Sequence, residues 1–294
     1  MQEYALFLGC MIPMKLPQID AAARAAFTGL GVKVEDVEDF SCCLEPWNFK
    51  GTDLAAWLKV AGRNLAVAEA RGIDILTLCN GCSATLIEAA HLMRDGRAEA
   101  EEARKVLSKA GYKDDNKAKA SHAVTFLSRE VGKEKVEKSC KRRLSGLKVA
   151  VHYGCHLLRP SDVMELDDPF QPSFLDELVR EAGAEPVECR GTMSCCGSAV
   201  LERGVSQAIA EEKLKAVEEA EVHCVVVICL ACLGQFDLGQ VELGRKAKKE
   251  ARRKPIPVIH YFQLLVMTQG AEVKKLGFNR YKVKVDDLLK AVVA

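Results

Sequence analysis

The sequence predicts an α/β protein of two similar tandem domains, each built on a mainly parallel sheet. The chain of 294 residues suits one large domain or two ordinary ones. Its second half repeats the cysteine motifs of the first in the same order, and short apolar runs alternate with stretches of helical period. Because a repeat decides the architecture before any single motif does, we expect a pseudo-twofold duplication with domains at residues 1–140 and 141–294.

Four short apolar runs predict the central strands of the two sheets. They are Tyr4 to Leu8, Ile73 to Leu78, Val149 to Tyr153 and Val225 to Ile228. In each half a Gly-Cys pair closes the first run, and a Cys-x-x-Cys motif follows the second. The two halves therefore place their cysteines at the same ends of corresponding strands.

Helical periodicity marks the stretches between these strands. The predicted helices are Asp20 to Leu30, Thr52 to Ala70, Ser83 to Met93 and Ala98 to Ala110 in the first half, and Ser173 to Ala182, Val205 to Ala220 and Phe262 to Thr268 in the second. His122 and His260 each stand ten residues before a glycine, at the head of a helix-like stretch. We interpret both as helix-start or core histidines.

The charge pattern argues against several classes of function. With 42 Lys+Arg against 41 Asp+Glu the net charge is only +1, so no general field attracts nucleic acid. Two basic stretches, Lys133 to Gly146 and Arg245 to Lys254, lack interleaved aromatic residues and are interpreted as solvated. The first of them is helix-breaking in pattern and marks the expected domain boundary.

Neither export nor a membrane span is predicted. The N-terminal residues lack a basic start followed by an apolar stretch. The longest apolar run, Cys224 to Leu233, falls far short of the roughly 20 residues that cross a bilayer. We expect a cytoplasmic protein, where thiols stay reduced and thirteen cysteines point to metal or cluster binding rather than to disulfides.

Ten of the cysteines form two sets of five with similar spacing. The candidate ligands are Cys10, Cys42, Cys43, Cys79 and Cys82, then Cys155, Cys195, Cys196, Cys229 and Cys232. A Cys-x-x-Cys motif between a strand and a helix lies where backbone N–H groups stabilise thiolates. In an open α/β sheet these ends line one crevice, and Gly9 and Gly154 let the backbone turn tightly there. The three other cysteines, Cys140, Cys189 and Cys224, have no counterparts and are expected to pack in apolar surroundings.

Three other interpretations of the cysteines stay open on the residues alone. A thioredoxin-like redox pair leaves three cysteines of each half without a role. Structural zinc takes four thiolates per site and leaves a fifth unused twice over. Ordinary ferredoxin clusters are announced by C-x₂-C-x₂-C runs, which neither half contains. Five recurring thiolates favour an iron–sulfur site of unusual form.

The cysteine pattern resembles that of the heterodisulfide reductase B subunit, whose family has a duplicated cysteine-rich (CCG) domain. The two halves read Cys-x₃₁-Cys-Cys-x₃₅-Cys-x₂-Cys and Cys-x₃₉-Cys-Cys-x₃₂-Cys-x₂-Cys. The resemblance extends to the strings Phe7 to Pro13, Arg63 to Ala66, Asp74 to Cys82 and His152 to His156. One departure is that Leu44 follows the first Cys-Cys pair, where Gly197 follows the second.

The resemblance implies that each set of five cysteines holds one non-cubane 4Fe-4S cluster. It implies an enzyme that reduces the mixed disulfide of coenzyme M and coenzyme B to two thiols, in a cytoplasmic complex of a methanogen. Since the chain has no evident flavin, nicotinamide or haem motif, electrons are expected from two further subunits of that complex, one ferredoxin-like and iron–sulfur, the other flavin-containing. A hydrogenase or formate dehydrogenase is an open further partner. The alternative is a CCG-domain electron-transfer subunit of a dehydrogenase or quinone-linked complex.

His156 is the candidate catalytic residue because it follows Cys155 directly and the two product thiolates need protons. The alternative role for His156 is that of a hydrogen-bond donor to cluster sulfur. Lys50, Arg63 and Arg159 are candidate anchors for the acidic groups of the coenzymes, although solvated surface charge is the simpler interpretation.

Overall fold

Two parallel four-stranded sheets organise the computed structural model, which describes residues 3–113, 117–246, 254–285 and Leu288. All strand pairs within them are parallel. The first sheet contains β1 (Glu3–Phe7), β2 (Lys33–Glu35), β3 (Asp74–Thr77) and β4 (Ala120–His122), and the second contains β5 (Lys148–His152), β6 (Glu185–Val187), β7 (Cys224–Val227) and β8 (Val258–His260). The predicted fold class of two similar tandem α/β units is confirmed.

Thirteen α-helices connect and cover the strands in the described part of the chain. The first half has α1 (Met11–Lys15), α2 (Pro17–Leu30), α3 (Phe49–Thr52), α4 (Leu54–Arg71), α5 (Asn80–Leu92), α6 (Ala98–Lys109) and α7 (Ala123–Phe126); then come α8 (Lys133–Ser139), α9 (Ser161–Met164), α10 (Phe174–Glu181), α11 (Arg203–Glu219), α12 (Leu230–Lys246) and α13 (Tyr261–Thr268). A π-helical turn extends α7 over Leu127–Val131, and two 3₁₀ turns follow α13 at Val273–Leu276 and Phe278–Arg280.

The strand order explains where a site can form. The orders are β2-β1-β3-β4 and β6-β5-β7-β8. In each sheet the second strand along the chain therefore lies on one side of the first strand, and the third and fourth strands lie on its other side. Such a reversal opens a crevice at the carboxyl ends of the two central strands. The register is the same in both sheets, with Phe7 beside Thr77 and His152 beside Val227. The residues that follow these four strands therefore meet at equivalent places.

Helix ends follow from local sequence. The side chain of Asp53 accepts a hydrogen bond from the Ala56 N–H and caps α4. Pro17 begins α2 at a position where its missing N–H costs nothing. Both helices end at glycines with positive φ, Gly31 at 64° and Gly72 at 66°, a conformation that glycine adopts without steric cost.

The structure differs from the sequence-based expectations in the basic stretch, in helix α12 and at the start of α5. The basic stretch Lys133 to Gly146 does not break helical structure at its start, because α8 occupies its first seven residues. Val136 in α8 is fully buried while charged neighbours remain exposed, so only one face of this helix is solvated. Helix α12 was not predicted at all, and α5 begins at Asn80 rather than at Ser83. Most of the second basic stretch, Arg245 to Lys254, lies outside the described residues.

The two halves pack against each other through helices and through the carboxyl ends of their sheets. Helix α2 of the first half contacts α13 of the second, where the rings of Phe27 and Phe262 lie 5.3 Å apart. At the ends of the sheets the His122 Nε2 donates to the carbonyl of Ile228 at 3.0 Å. The two sheets thus face each other across the region that carries the cysteines. Within the described residues, no helix is both long and apolar enough to span a membrane.

Candidate metal centre

The five cysteines of the first half converge at the end of the first sheet. Cys10 precedes α1, Cys79 precedes α5, and Cys82 lies in the first turn of α5. Cys42 and Cys43 come from the loop between β2 and α3. Each thiol interacts with the next in the order Cys10, Cys42, Cys43, Cys82, Cys79, because neighbours in this order shift one another's pKa. The structure therefore brings the predicted set together.

The second half repeats this arrangement. Its thiols interact in the corresponding order Cys155, Cys195, Cys196, Cys232, Cys229, where neighbours again shift one another's pKa. In both sets three cysteines are buried, but the other two are exposed in the first set and only half-buried in the second. The second set is thus the more enclosed of the two.

The two sets touch each other. The thiols of Cys79 and Cys229 interact across the boundary between the halves, since each shifts the pKa of the other. Beside them, the buried Asn80 Nδ2 donates to the carbonyl of Tyr153 at 2.7 Å. Ten thiols therefore form one continuous group that contains residues of both sheets.

His122 and His260 hold this boundary from equivalent positions. Each is fully buried, caps a helix through its Nδ1 and is the final residue of the last strand of its sheet. His122 donates to Ile228, the residue before Cys229, while the His260 ring lies near the carbonyls of Leu78 and Ile228 without a hydrogen bond of good geometry. Burial lowers the pKa of His122 to about 4 and that of His260 to about 3. Both are neutral helix-start histidines in the core, which confirms the prediction.

Neighbouring thiols shift one another's pKa values in opposite directions. A hydrogen bond from Cys43 lowers the pKa of Cys42 to about 5, and the same bond raises the pKa of Cys43. A hydrogen bond from Cys229 is the main cause that lowers the pKa of Cys79, although Cys79 is buried. A metal or cluster bound here would replace the thiol protons, because metal binding requires deprotonated thiols. The group therefore has the electrostatics of a metal site.

The donor set fits an iron–sulfur group. Every cysteine of the chain is a free thiol, and soft thiolates in groups of four or five suit iron–sulfur clusters better than hard cations. A Cβ at Gly9 would lie 2.9 Å from the Cys82 Sγ, so the backbone approaches the thiols more closely than a side chain permits. Gly9 has a φ of 61°, as the tight turn predicted here requires.

Leu44 keeps the geometry of the first set despite replacing a glycine. Its φ of 56° lies in the same left-handed region as the 86° of Gly197, at a cost of about 1–2 kcal/mol for a residue with a side chain. The Leu44 carbonyl accepts hydrogen bonds from Trp57 and Thr85, which hold the strained turn. In the second set a Cβ would lie 2.5 Å from the Ser206 carbonyl oxygen. Only the first set has room for the leucine.

We expect the substitution Gly154→Ala to destabilise the boundary between the halves. Gly154 has a φ of 73°, and a Cβ there would lie 2.5 Å from the Asn80 Nδ2. The matched control is Gly31→Ala, which has a φ of 64° but no atom within 4 Å of the added Cβ. Both variants carry the conformational cost, and Gly154→Ala should lose about 1–3 kcal/mol more because the bond from Asn80 to Tyr153 is displaced. Equal thermal midpoints for the two variants would contradict this close packing.

A narrow crevice beside the second set contains the candidate catalytic histidine. It is lined by Trp47, Asn80, His156 and Ala231 together with cysteines of the second set. The His156 ring stacks on Trp47 of the first half, with centroids 5.0 Å apart and an interplanar angle of 26°. Burial lowers the pKa of His156, while the nearby Glu88 carboxylate acts in the opposite direction. His156 therefore lies between residues of both halves, next to the thiols.

Two basic residues beside the second set were not assigned a role from the sequence. The Nε2 of His152 lies 3.3 Å from the Cys232 Sγ, and its ring packs edge-on to Phe236. Lys213 is only 4% exposed and its Nζ donates to the Gly191 carbonyl at 2.7 Å. Burial lowers the pKa of Lys213 to about 8, opposed by the charges of Cys189 and Cys232, so the ammonium group persists at neutral pH.

The candidate anchors for acidic groups have partners elsewhere. Lys50 pairs with Glu88, Arg63 donates to the Asp39 carbonyl, and Arg159 donates to the Pro169 carbonyl. The simpler interpretation, surface charge, describes the contacts of Arg63 and Arg159. Lys50 instead pairs with a buried carboxylate that also acts on His156.

The spare cysteines differ in their burial. Cys224 and Cys189 are buried, at 0% and 6% exposure, as expected for packing residues. Cys140 is half-buried, and its sulfur accepts a hydrogen bond from the Thr268 hydroxyl at 3.1 Å. None of the three shares a thiol contact with the ten clustered cysteines in the described structure.

Known proteins resemble this chain in sequence or in fold. Residues 4–87 and 149–237 each match the cysteine-rich domain (CCG) family. The chain is 35% identical, over 97% of its length and 95% of the relative's, to the B subunit of the Ferredoxin/F(420)H(2)-dependent CoB-CoM heterodisulfide reductase of Methanosarcina acetivorans. It is 30% identical, over 95% of its length and 96% of the relative's, to the 8-methylmenaquinol:fumarate reductase membrane anchor subunit of Wolinella succinogenes. A hypothetical protein from Helicobacter pylori matches with a TM-score of 0.72 at 13% identity, over 96% of this chain and 52% of that one, which shows a common fold alone.

Fold and site together define a duplicated cysteine-rich α/β protein whose ten clustered thiols lie between two parallel sheets. The chain belongs to the cysteine-rich (CCG) domain family, with the domain present twice, and to the group within it that includes the heterodisulfide reductase B subunit.

Proposed function

We propose that the protein is the catalytic iron–sulfur subunit that reduces the coenzyme M–coenzyme B heterodisulfide to two thiols. The observation that carries the proposal is the meeting of two complete five-cysteine sets at Cys79 and Cys229, beside a crevice that contains His156. The relative from Methanosarcina acetivorans is named for this reaction. Two electron-carrying groups in contact suit a substrate whose cleavage takes two electrons.

The residues of the chain have distinct roles in the proposed reaction. The ten clustered cysteines hold two non-cubane 4Fe-4S clusters, one in each half. When bound, such clusters supply electrons one at a time. Trp47 and Asn80 line the crevice that positions the disulfide, and His156 provides a proton to a departing thiolate.

Electrons reach this chain from partners in the proposed complex. These are a ferredoxin-like iron–sulfur subunit together with a flavin-containing one, and a hydrogenase or formate dehydrogenase is a further source. The proposed location is the cytoplasm, and the thirteen free thiols support it because a reducing compartment preserves them.

The proposal predicts the metal content of the protein. Material isolated without oxygen should contain about eight irons and eight acid-labile sulfides per chain, since each set holds four of each. Inductively coupled plasma analysis and a sulfide assay measure both. Stoichiometric zinc with little sulfide would reject the clusters. A three-atom group of His152, Cys196 and Cys232, all within 4.8 Å of one another, makes zinc the relevant competitor.

A second candidate function is electron transfer to or from a quinone-linked partner. The observation that favours it is the 30% identity to the fumarate reductase subunit of Wolinella succinogenes. Electron paramagnetic resonance of the oxidised, iron-loaded protein separates the two candidates. A new signal after addition of free coenzyme M or coenzyme B supports disulfide chemistry at the clusters. An unchanged spectrum with both thiols, and no turnover of the heterodisulfide, supports electron transfer instead.

A further inference from the structure

The two cysteine sets have different residues at one equivalent position of their central strands. His152 ends β5 and Phe7 ends β1, each two residues before the Gly-Cys turn and each in the same register with the neighbouring strand. The His152 Nδ1 has no partner among the described residues. The proton of the neutral ring therefore belongs on Nε2, which lies 3.3 Å from the Cys232 Sγ. The second set thus has an N–H···S donor where the first has a hydrocarbon ring.

A second difference lies on the helix that supports each Cys-Cys loop. Lys213 and Asn64 are both the eleventh residue of their helices, α11 and α4. Both bind the segment just before the Cys-Cys pair: Lys213 donates to the Gly191 carbonyl, and Asn64 accepts from the Ser41 N–H. Asn64 is neutral, whereas Lys213 is a buried cation whose electrostatic partners are Cys189 and Cys232.

Among the described residues, the hydrogen-bond partner of the Lys213 Nζ is the Gly191 carbonyl, and no carboxylate contributes to the charges that act on it. A buried ammonium group needs an anion to offset its desolvation. The sulfurs that act electrostatically on Lys213 are those of Cys189 and Cys232, and of these only Cys232 belongs to a set that would bind a cluster.

We propose that the two sites are electronically inequivalent, and that His152 and Lys213 give the second site the higher reduction potential. This inference rests on the proposed binding of a cluster by each cysteine set. Hydrogen bonds to sulfur and nearby positive charge favour the more negative, reduced form of a cluster. The first site has Phe7 and Asn64 at the same places, and these residues offer neither an N–H donor to a cysteine sulfur nor a positive charge. An electron shared by the pair therefore resides mainly on the second site, next to His156.

Potentiometric titration of the whole iron-loaded protein with dithionite and redox mediators, followed by electron paramagnetic resonance, tests the inference. The unaltered protein should give two midpoints whose reduction constants differ about tenfold or more, as expected for one charge-assisted hydrogen bond. Lys213→Met removes the charge, and His152→Phe installs the residue of the first half. Each variant should lower the reduction constant at the higher midpoint about tenfold, which is 59 mV for one electron, and leave the lower midpoint in place.

Two controls keep the result specific. Lys213→Arg retains the charge and should keep the higher midpoint, and Lys215→Met removes a more exposed cation that pairs with Glu211 on the same helix. If His152→Phe loses iron, the two Lys213 variants decide the outcome. Coincident midpoints in the unaltered protein would overturn the inference, and so would a higher midpoint that stays unchanged in Lys213→Met. In either case, full iron content would leave the proposed function intact. Absence of iron and sulfide instead rejects the proposed function itself.

Discussion

Replacing Cys43 or Cys196 by serine is expected to abolish heterodisulfide reduction and to remove the iron of one half only. Each of these cysteines lies in the middle of its set, between a thiol of the Cys-Cys pair and one of the Cys-x-x-Cys motif. A hard hydroxyl is a poor substitute for thiolate on iron. Iron content should therefore fall from about eight to about four per chain, with turnover at background because both electrons are needed.

The spare cysteines provide the matched controls for this experiment. Serine at Cys140, Cys189 or Cys224 makes the same chemical change outside the thiol groups. Iron content should stay nearly intact in all three, although Cys224→Ser buries a hydroxyl in β7 and is expected to lower the thermal midpoint. If these variants lose as much iron as the first two, the repeat has been aligned on the wrong ligands.

The substitution His156→Gln is expected to slow heterodisulfide reduction by about 10²–10⁴-fold, the range for loss of a general acid. Reductive cleavage consumes two protons, and His156 lies in the crevice beside Cys155 and Cys195. Glutamine keeps a hydrogen-bond donor but removes the titrating ring, so cluster assembly should survive. Iron content, the thiol-induced paramagnetic signal and the pH profile of turnover are the measurements.

The control for His156 is His91→Gln, at an exposed position near the end of α5. It should change neither the rate nor the pH profile. Intact clusters in His156→Gln with an unchanged rate and pH profile would instead give His156 the role of a hydrogen-bond donor to sulfur. Trp47→Leu provides an independent measurement, because removal of the stacked ring should misplace His156 and weaken turnover without loss of iron.

The sequence alone was sufficient to predict the features that the two halves have in common. The central strands are buried on both faces and read as apolar runs, and the cysteines that follow them must meet because the strands are neighbours. The edge strand β2 was missed because Lys33 and Glu35 give it no apolar pattern. Helix α12 was missed because the apolar run that begins at Cys224 continues from β7 into the helix without a polar break.

The residues that distinguish the two sites could not be found from spacing. His152 lies inside a predicted strand, and only the observed register shows that its side chain points to Cys232. Trp47 belongs to a loop of the first half and reaches His156 of the second, a contact over a long sequence separation. Lys213 resembles any solvated helix lysine until its 4% exposure is known.

The contacts between the two sheets determine whether the two halves can be produced as separate fragments. Cys79, Asn80 and Cys229 owe their surroundings to contacts made across the boundary, and His122 reaches a carbonyl of the opposite half. A fragment with only one sheet would expose its thiol loop to oxidation and leave buried polar groups without partners. The two fragments should therefore require co-expression, and a single-copy ancestor would have needed to pair with itself before the genes fused.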